Sequence, residues 1–185
     1  GSPGSGKSTV AKILVQKLNL KHYSTGDFMR EMALKRGISL AELGKIAEKD
    51  RSIDQELDGW QINLGNNKKD FIIDARIGFH FIPKSIKIFL DAELKTRAER
   101  ILKDVVIKKL RTEEKGIKNR DEVIAQIKER EASETKRYQQ YYNVNPYDHK
   151  NYDLVVDTTK ITAEQAAQKI MDYIDKNKIK PKSEN

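Results

Sequence analysis

The first eight residues restrict the possible folds more than any other part of the sequence. GSPGSGKS fits the spacing G-x-x-x-x-G-K-[ST], with Gly1, Gly6, Lys7 and Ser8 at the fixed positions. Loops of this kind present backbone N–H groups to phosphates and lead into the N-terminus of a helix. The residues that follow, TVAKILVQKLNL, place apolar side chains at helical spacing. The sequence therefore predicts a phosphate-binding loop that opens into an amphipathic helix.

Three side chains around this loop indicate a nucleotide ligand. Lys7 is the residue that reaches the β- and γ-phosphates in such loops, and the Ser8 hydroxyl is a ligand for Mg²⁺. Asp74 ends the apolar run FIID and is expected at the carboxyl edge of a parallel sheet, where ligands of open α/β folds bind. We predict that Asp74 supports the metal ion through water. A solvated carboxylate at a strand end is the alternative.

Strand-like and helix-like stretches alternate along the chain. The predicted strands are KHYST, FIID, SIKIFLDA and LVVDTT, and two of the helices between and after them begin with capping boxes, Ser39 with Glu42 and Thr162 with Gln165. This order predicts an α/β fold, a parallel sheet flanked by helices. Such a sheet needs a central strand ahead of the phosphate loop, so we expect an apolar strand upstream of Gly1.

Composition narrows the classes of protein that the chain can belong to. Its 185 residues fit one domain, and the absence of cysteine excludes disulfides and thiolate metal sites. No apolar run approaches the roughly 20 residues that cross a membrane, so we expect a cytoplasmic protein without a membrane partner. The net charge of +8 suits phosphate ligands. Because the basic residues are scattered among glutamates, we do not expect a nucleic acid partner. Residues 178–185 are expected to form a frayed tail.

A second group of residues predicts an anion pocket on the acceptor side. YSTGDFMRE places Ser24, Thr25 and Arg30 around the start of a helix, and Arg76 comes just after Asp74. Each residue alone is an ordinary surface residue. Together they are able to form an anion pocket that faces the phosphate loop.

The segment KEREASETKRY carries a third candidate group. Arg130, Glu134 and Arg137 are spaced i, i+4 and i+7, so they share one face of a helix. Two guanidiniums with a carboxylate between them suit a phosphorylated acceptor, because each guanidinium holds oxygens in a bidentate manner. A solvent-exposed ladder of ion pairs has the same spacing. Spacing alone leaves both interpretations open.

Taken in order, these motifs resemble those of a known enzyme family. The phosphate loop, STGDFMRE, IIDARIG, FLDAELKTRAERI, REASETKRY and YDLVVDTT are similar to segments of nucleoside monophosphate kinases, most closely the short archaeal-type cytidylate kinases. The resemblance covers nearly the whole chain. Its most discriminating part is the helix R-x-x-x-E-x-x-R-Y followed by YDLVVDT, because the loop alone occurs in many nucleotide-binding proteins.

The resemblance implies roles for individual residues. The cradle for the donor phosphates consists of Gly1, Ser2, Pro3, Gly4, Ser5, Gly6, Lys7, Ser8 and Thr9. The residues that hold the acceptor monophosphate are Ser24, Arg30 and Arg76. The residues that contact the phosphates and the cytidine are Arg130, Glu134 and Arg137. This implication favours the anion site over the exposed ladder.

The resemblance also divides the single kinase domain, residues 1–185, into regions. Residues 31–66 correspond to a small lobe that binds the nucleoside monophosphate, and residues 103–120 to a lid over the donor nucleotide. Arg97 or Arg100 lies at the root of that lid, and Arg100 is the one we assign to ATP binding. A plain charge on a helix surface is the alternative for both.

Two departures from the relatives concern the lid and the base pocket. Asp104 stands where relatives carry an arginine. The residues of the predicted lid that can supply the missing positive charge are Lys108, Lys109, Arg111 or Arg120. In DQELDGWQ, Gly59 and Trp60 replace two arginines that follow a D-x-E-I-D motif in many relatives. Asp58, Trp60 and Gln61 are candidates for the base pocket, with Trp60 as a packing residue the alternative; Asp58 and Gln61 are assigned to monophosphate binding.

The reaction implied is direct transfer of the γ-phosphoryl group of ATP to the 5′-phosphate of CMP or dCMP, with Mg²⁺ as cofactor and a monomer as the expected state. The residues expected to neutralise charge during the transfer are Lys7, Arg76, Arg130 and Arg137.

Three alternatives stay open from the sequence. The acceptor can be another monophosphate, AMP or UMP. A small-metabolite kinase of the shikimate type is disfavoured, because YSTGDFM lacks the paired acidic residues needed to hold and deprotonate a neutral hydroxyl. An RNA-associated ATP-binding protein is favoured only by the basic isoelectric point near 9.4.

Overall fold

The computed structural model describes residues 1–108, with side chains as far as residue 105, and residues 119–177. The predicted tail, 178–185, and most of the predicted lid, 103–120, lie outside these residues. The helices are α1 Lys7–Leu18, α2 Thr25–Lys35, α3 Leu40–Ala47, α4 Ser52–Asn67, α5 Gly78–Phe81, α6 Leu94–Lys108, α7 Arg120–Tyr142 and α8 Ala163–Lys176. The strands are β1 Lys21–Ser24, β2 Phe71–Asp74, β3 Ile88–Asp91 and β4 Leu154–Asp157.

The four strands form two parallel pairs, β1 with β2 and β3 with β4. Ser24 lies opposite Asp74 at the end of the first pair, and Asp91 lies opposite Asp157 at the end of the second. Helices connect successive strands, as parallel pairing requires. The predicted α/β fold with parallel strands flanked by helices is confirmed.

An apolar groove of about 450 Å³ is bordered by both strand pairs. Its apolar lining includes Leu14, Phe71, Ile72, Leu90, Ile170 and Ile174. Among the described residues, β2 and β3 each pair with one strand only, so each has an open edge. An open strand edge is a template for a further strand, and an apolar lining suits a strand that is buried on both faces. The groove has the chemistry expected for the central strand of the sheet.

Local sequence signals account for the helix ends. Gly37 takes a φ of 67° just after α2, a left-handed conformation that glycine adopts at little cost. The predicted capping boxes of Ser39 with Glu42 and of Thr162 with Gln165 are both present, at the starts of α3 and α8. No described helix is long and apolar enough to span a membrane.

Separate apolar clusters hold the helices in place. The main cluster joins α1 and α8 to β3 and β4, and it includes Val10, Leu14, Leu90, Val156 and Ile170. A second cluster joins α2, α3 and α4, and it consists of Met32, Ala33, Leu43, Ala47 and Ile53. A third cluster, Ala98, Ile101, Val123 and Ile127, packs α6 against α7. The predicted monophosphate lobe, 31–66, thus contains a small core of its own.

The groove predicts that an added strand stabilises the protein. An extended apolar segment of about five residues joined to Gly1 should pair with β2 and β3 and raise the Tm by several degrees, because it buries apolar surface and satisfies two strand edges. The control is a segment of equal length made of serine and asparagine. Thermal unfolding followed by circular dichroism measures the difference; equal Tm values for the two segments would contradict the prediction.

Candidate active site

The phosphate loop leads into α1 without a side-chain cap from any described residue. Gly6 takes a φ of 90°, and the Val10 N–H donates to the Gly6 carbonyl at 3.0 Å, so the helix begins directly after the loop. The first N–H groups of a helix have no partner within the helix, and together with the helix dipole they attract anions. This end of α1 is therefore suited to a phosphate.

Close packing fixes the path of the loop. Gly4 has a φ of 78°, and a Cβ atom at this position would lie 2.7 Å from the Arg97 carbonyl oxygen in α6. Only glycine fits there. On the opposite side, the Ser2 N–H donates to the Leu90 carbonyl at 3.2 Å and the Ser2 hydroxyl donates to Asp91 at 3.1 Å. The loop is thus attached to α6 and to the end of β3.

Lys7 lies over the loop, where its Nζ donates to the Ser2 carbonyl oxygen at 3.0 Å. Burial, and then the neighbouring Arg76 guanidinium, lower the pKa of Lys7 to about 7, although the Asp74 carboxylate opposes this change. A bound polyphosphate would favour the charged ammonium and raise this pKa again. The loop lysine is therefore poised to gain a proton when an anion binds.

Ser8 and Asp74 lie together at the end of β2, as the sequence predicts. The Ser8 hydroxyl donates to Asp74 Oδ2 at 2.7 Å. Burial alone would raise the pKa of Asp74, but Lys7, the Ser8 hydrogen bond and Arg76 outweigh it and lower this pKa, so the side chain is a carboxylate. A hydroxyl and a carboxylate fit Mg²⁺, which takes few protein oxygens and completes its shell with phosphates and water.

A buried charged network joins the loop to α7. Glu134, which is 8% exposed, accepts hydrogen bonds from Arg76 Nε at 2.8 Å, Arg130 Nε at 2.9 Å and the Tyr147 hydroxyl at 2.5 Å. Arg76 Nη1 also donates to the Gly1 carbonyl oxygen at 2.6 Å. An exposed ladder of ion pairs, the alternative from the sequence, does not fit a buried carboxylate with three donors.

The charge states of this network are well defined. Burial alone would raise the pKa of Glu134, but the Arg76 and Arg130 guanidiniums and the Tyr147 hydroxyl outweigh it, and the pKa of Glu134 lies well below its usual value. Burial opposes the charge of Arg76 in the same way, yet Glu134 raises the pKa of Arg76 above its usual value. Both side chains are charged throughout the physiological pH range.

Arg137 occupies a different position from the one that helical spacing alone indicates. Its Nε atom lies 3.4 Å from Asp54 Oδ2, and its Nη2 atom donates to the Tyr138 hydroxyl at 3.1 Å. Arg137 is 8% exposed and Asp54 is 1% exposed. The carboxylate of Glu134 therefore lies between Arg76 and Arg130, whereas Arg137 forms a second, separate ion pair with Asp54 of α4.

The predicted acceptor residues of α2 lie at the end of the first strand pair. Ser24 caps α2 by accepting the Asp27 N–H at 3.2 Å, and the Thr25 hydroxyl donates to the Asp74 carbonyl oxygen at 3.2 Å. Arg30 forms an exposed ion pair of 2.6 Å with Asp27. Ser24 and Thr25 thus lie beside Asp74 at the end of the strand pair. Their role in binding an acceptor phosphate stays a prediction.

The candidates for the base pocket divide into a packing residue and two polar residues. Trp60 stacks on Phe28 with ring centroids 4.9 Å apart, which favours the packing interpretation. Asp58 Oδ2 accepts the Tyr142 hydroxyl at 2.6 Å, and Gln61 is 1% exposed. Asp58 and Gln61 line a small cavity together with Thr25, Asp54, Leu57, Arg76, Ile77 and Tyr138.

The arginines at the predicted root of the lid have structural partners. Arg100 donates to the Thr158 hydroxyl at 3.0 Å and to the Thr158 carbonyl at 2.6 Å, and the same hydroxyl lies 2.9 Å from the Ser5 carbonyl of the loop. Arg97 is buried and donates to Glu131 of α7 at 2.5 Å. Arg100 is thus connected to the loop through Thr158, and its contact with ATP stays a prediction.

Of the proposed substitutes for the lid arginine, only Arg120 has a described side chain. It forms an exposed pair of 3.2 Å with Glu99. Lys109 and Arg111 lie outside the described residues, and so does the side chain of Lys108.

Sequence reasoning missed two residues of this region, Asp54 and Tyr147. One face of α4 carries three polar residues at the spacing i, i+4 and i+7, namely Asp54, Asp58 and Gln61. This polar stripe is the sequence signal that could have identified Asp54. Tyr147 follows α7 in an irregular segment, where no periodicity marks it. Its contact with Glu134 is visible only in the folded chain.

Solved structures with low sequence identity share the fold. A structure of an uncharacterized protein from Eubacterium ventriosum has a TM-score of 0.68 and 21% identity, and the match covers 94% of each chain. The shikimate kinase from Bacteroides thetaiotaomicron has a TM-score of 0.63 and 14% identity, and covers 95% of each chain. At such identities the likeness concerns the fold alone.

Comparison with known sequences identifies the family. A family model described as an AAA domain matches residues 1–122. A cytidylate kinase from Methanosarcina acetivorans is 37% identical over 163 residues, which cover 86% of this chain and 85% of the relative. A cytidylate kinase from Methanocaldococcus jannaschii is 35% identical over 180 residues, which cover 95% and 94%. With its phosphate loop, its arginine–glutamate network and relatives of this similarity over most of its length, the chain belongs to the cytidylate kinase family.

Proposed function

We propose that this protein transfers the γ-phosphoryl group of ATP to CMP or dCMP, giving ADP and CDP or dCDP. Besides family membership, one observation carries the proposal. The Arg76–Glu134–Arg130 network is fastened to the Gly1 carbonyl, so two guanidiniums lie beside the loop that receives the donor phosphates. Two anionic substrates that repel each other need cationic groups of this kind between them.

The reaction is an in-line displacement at phosphorus. An oxygen of the CMP phosphate forms the new bond to the γ-phosphorus, the bond from that phosphorus to the β–γ bridging oxygen breaks, and ADP leaves with the electron pair. No general base is needed, because a phosphate monoester with a second pKa near 6 has an unprotonated oxygen near neutral pH. The work of the protein is positioning and charge stabilisation.

Each part of the site has its own task in this scheme. The N-terminus of α1 and Lys7 bind the donor phosphates. Arg76 and Arg130 neutralise charge on the transferring group, and Glu134 holds both guanidiniums in place. Ser24, opposite Asp74 at the strand end, and Arg30 of α2 bind the phosphate of the acceptor. Arg137 supports the acceptor side through its pair with the lobe.

Magnesium supplies further charge neutralisation on the donor phosphates when it is bound. Ser8 and Asp74 would hold it, Asp74 through water, and among the described residues there is no cluster of three acidic or histidine side chains that offers a rival site. We propose a monomer as the catalytic unit. We propose a cytoplasmic location for the same protein, since both substrates are used there.

A panel of acceptors tests the proposal. ADP formation from Mg·ATP is measured with CMP, dCMP, UMP, AMP, GMP and shikimate in parallel, and the largest kcat/KM is expected for CMP or dCMP. Shikimate is included because shikimate kinases share the fold. A larger kcat/KM with any other acceptor, or no transfer at all, would contradict the proposal.

Replacing the loop lysine should abolish the reaction. We expect Lys7→Ala to lower kcat/KM for CMP by at least about 100-fold with little change in Tm, because the loss concerns charge stabilisation in the transition state. Lys12→Ala is the matched control, since Lys12 is an exposed lysine of the same helix. Initial rates and thermal unfolding are compared for both variants; retained transfer by Lys7→Ala would refute the role of this residue.

The lowered pKa of Lys7 predicts proton uptake when ATP binds. The free protein has this pKa at about 7, and bound phosphates raise it towards the usual value of 10.5. Between these values the complex holds more protons than the free protein. The affinity for ATP should therefore fall as the pH rises from 8 to 9, with uptake of about one proton per ATP.

Calorimetry in buffers with different ionisation enthalpies counts these protons. At pH 8 to 9 the γ-phosphate of ATP has already lost its own proton. Lys7→Arg is the control, because arginine stays charged in both states and should show no uptake. Equal uptake by the wild type and this variant would assign the proton to another group.

The buried network predicts an acid-sensitive contribution to stability. Glu134→Gln should lower the free energy of unfolding at pH 7 by about 3 kcal/mol, because Arg76 stays buried without its counter-ion. The folded pKa of Glu134 is lowered, so the stabilisation is complete above its ordinary value of 4.5 and is lost as the pH falls below it. The gap between the two proteins should therefore narrow in acid.

Urea unfolding between pH 7 and pH 3 measures this gap. Glu129→Gln is the matched control, since Glu129 is an exposed residue of the same helix. A gap of constant size over the whole pH range would show that the charge of Glu134 is not its source.

A further inference from the structure

Three buried oxygen atoms on the side of the site assigned to the nucleoside monophosphate accept no hydrogen bond within the described part of the chain. They are both carboxylate oxygens of Asp54 and Oε1 of Gln61. Each of these side chains is 1% exposed. Asp54 Oδ2 has an ion pair with Arg137, whereas Asp54 Oδ1 and Gln61 Oε1 have neither a hydrogen bond nor an ion pair among the described residues. Buried polar atoms usually have partners, and an unmet acceptor costs free energy, so these two acceptors indicate a donor that arrives with a ligand.

The geometry of α4 brings these acceptors together. Asp54 and Gln61 lie two turns apart on one face of the helix, with Asp58 between them. Oδ2 of Asp58 already accepts a hydrogen bond from the Tyr142 hydroxyl at 2.6 Å. Arg137 holds Asp54 by an ion pair of 3.4 Å, which fixes the carboxylate but leaves its oxygens without a hydrogen bond.

The cavity that these acceptors line also touches Arg76, which belongs to the phosphate network. Its volume is about 10 Å³, room for a group about the size of one water molecule. A whole nucleobase is too large for it. An amino group at the edge of a base is small enough, with the ring lying outside the cavity mouth.

We propose that Asp54 and Gln61 select cytosine by accepting the two N–H bonds of its exocyclic amine, an inference that rests on the proposed function. The Asp54 carboxylate takes one N–H and the Gln61 carbonyl takes the other. Uracil carries a carbonyl oxygen at the same position. That oxygen would face buried acceptors and offer no donor, and a site built around hydrogen bonds rejects such a ligand strongly.

The ribose hydroxyls are the other hydrogen-bond donors of the substrate, and each offers fewer hydrogens than the amine. A hydroxyl carries one O–H, whereas the amine carries two N–H bonds and can serve two side chains at once. Adenine also has an exocyclic amine, on a larger ring. The test therefore compares CMP with UMP, dCMP and AMP.

Two variants test the inference. Asp54→Asn replaces one acceptor oxygen by a donor, and Gln61→Leu removes the other acceptor at nearly unchanged volume. Each should lower the ratio of kcat/KM for CMP to that for UMP by about 10- to 100-fold. Glu56→Gln is the matched control, because Glu56 is exposed on the same helix and its loss removes the same charge; its ratio should equal that of the wild type.

The outcomes separate this inference from the proposed function. A wild type that does not prefer CMP or dCMP overturns the proposed function and the inference with it. A wild type that prefers CMP, with unchanged CMP to UMP ratios in both variants, overturns the inference alone. A loss shared equally by CMP and UMP, with a changed CMP to dCMP ratio, would assign the acceptors to the ribose and overturn it as well. If Asp54→Asn fails to fold because Arg137 loses its partner, Gln61→Leu decides the question, since it changes no charge.

Discussion

The buried carboxylate of Glu134 holds two guanidiniums at the edge of the phosphate loop, and the rest of the site depends on this interaction. Lys7, Arg76 and Arg130 are like charges in one place, and each makes the others less favourable. The effect is visible at Lys7, whose pKa falls to about 7 through burial and the nearby Arg76. Without Glu134 as a counter-ion, Arg76 would be buried without a compensating charge, and both arginines would lose the partner that orients them.

This balance leaves the site short of negative charge until phosphates arrive. Glu134 is shared by two arginines, Asp74 is engaged by Ser8, and the N-terminus of α1 adds its partial positive charge. Binding energy from the donor phosphates is thus available to relieve repulsion that already exists in the free protein. The same arrangement stabilises the charge that spreads over the transferring phosphoryl group. A site that offers no nucleophilic side chain accelerates the reaction in this way.

The elements that could be predicted from the sequence are those fixed by neighbours in the chain. The loop and α1, the two capping boxes and the four strands all follow from spacing over a few residues. The pairing of Glu134 with Arg76 does not follow from local spacing, because 58 positions separate the two residues. They meet only when the chain folds and α7 packs near the end of β2. Helical spacing placed Glu134 between Arg130 and Arg137; Arg130 does pair with Glu134, whereas α4 supplies Asp54 to Arg137 instead. Trp60 is a similar case, since its stacking on Phe28 depends on how α2 and α4 pack.

The part of the site assigned to the monophosphate has hydrogen-bond donors and cations on one side and hydrogen-bond acceptors on the other, and this division has a physical reason. Groups that meet phosphate are donors and cations, and they can pair with Glu134 and Asp74 while the site is free. Groups suited to the amine of a base are acceptors, and Asp54 and Gln61 supply them beside a small cavity, where Asp54 Oδ1 and Gln61 Oε1 have no hydrogen bond within the described part of the chain. Each unmet acceptor costs about 1–3 kcal/mol in the free protein. A ligand that carries the phosphate and the amine on one frame removes both costs at once, whereas a ligand with only one of these groups leaves the other cost in place.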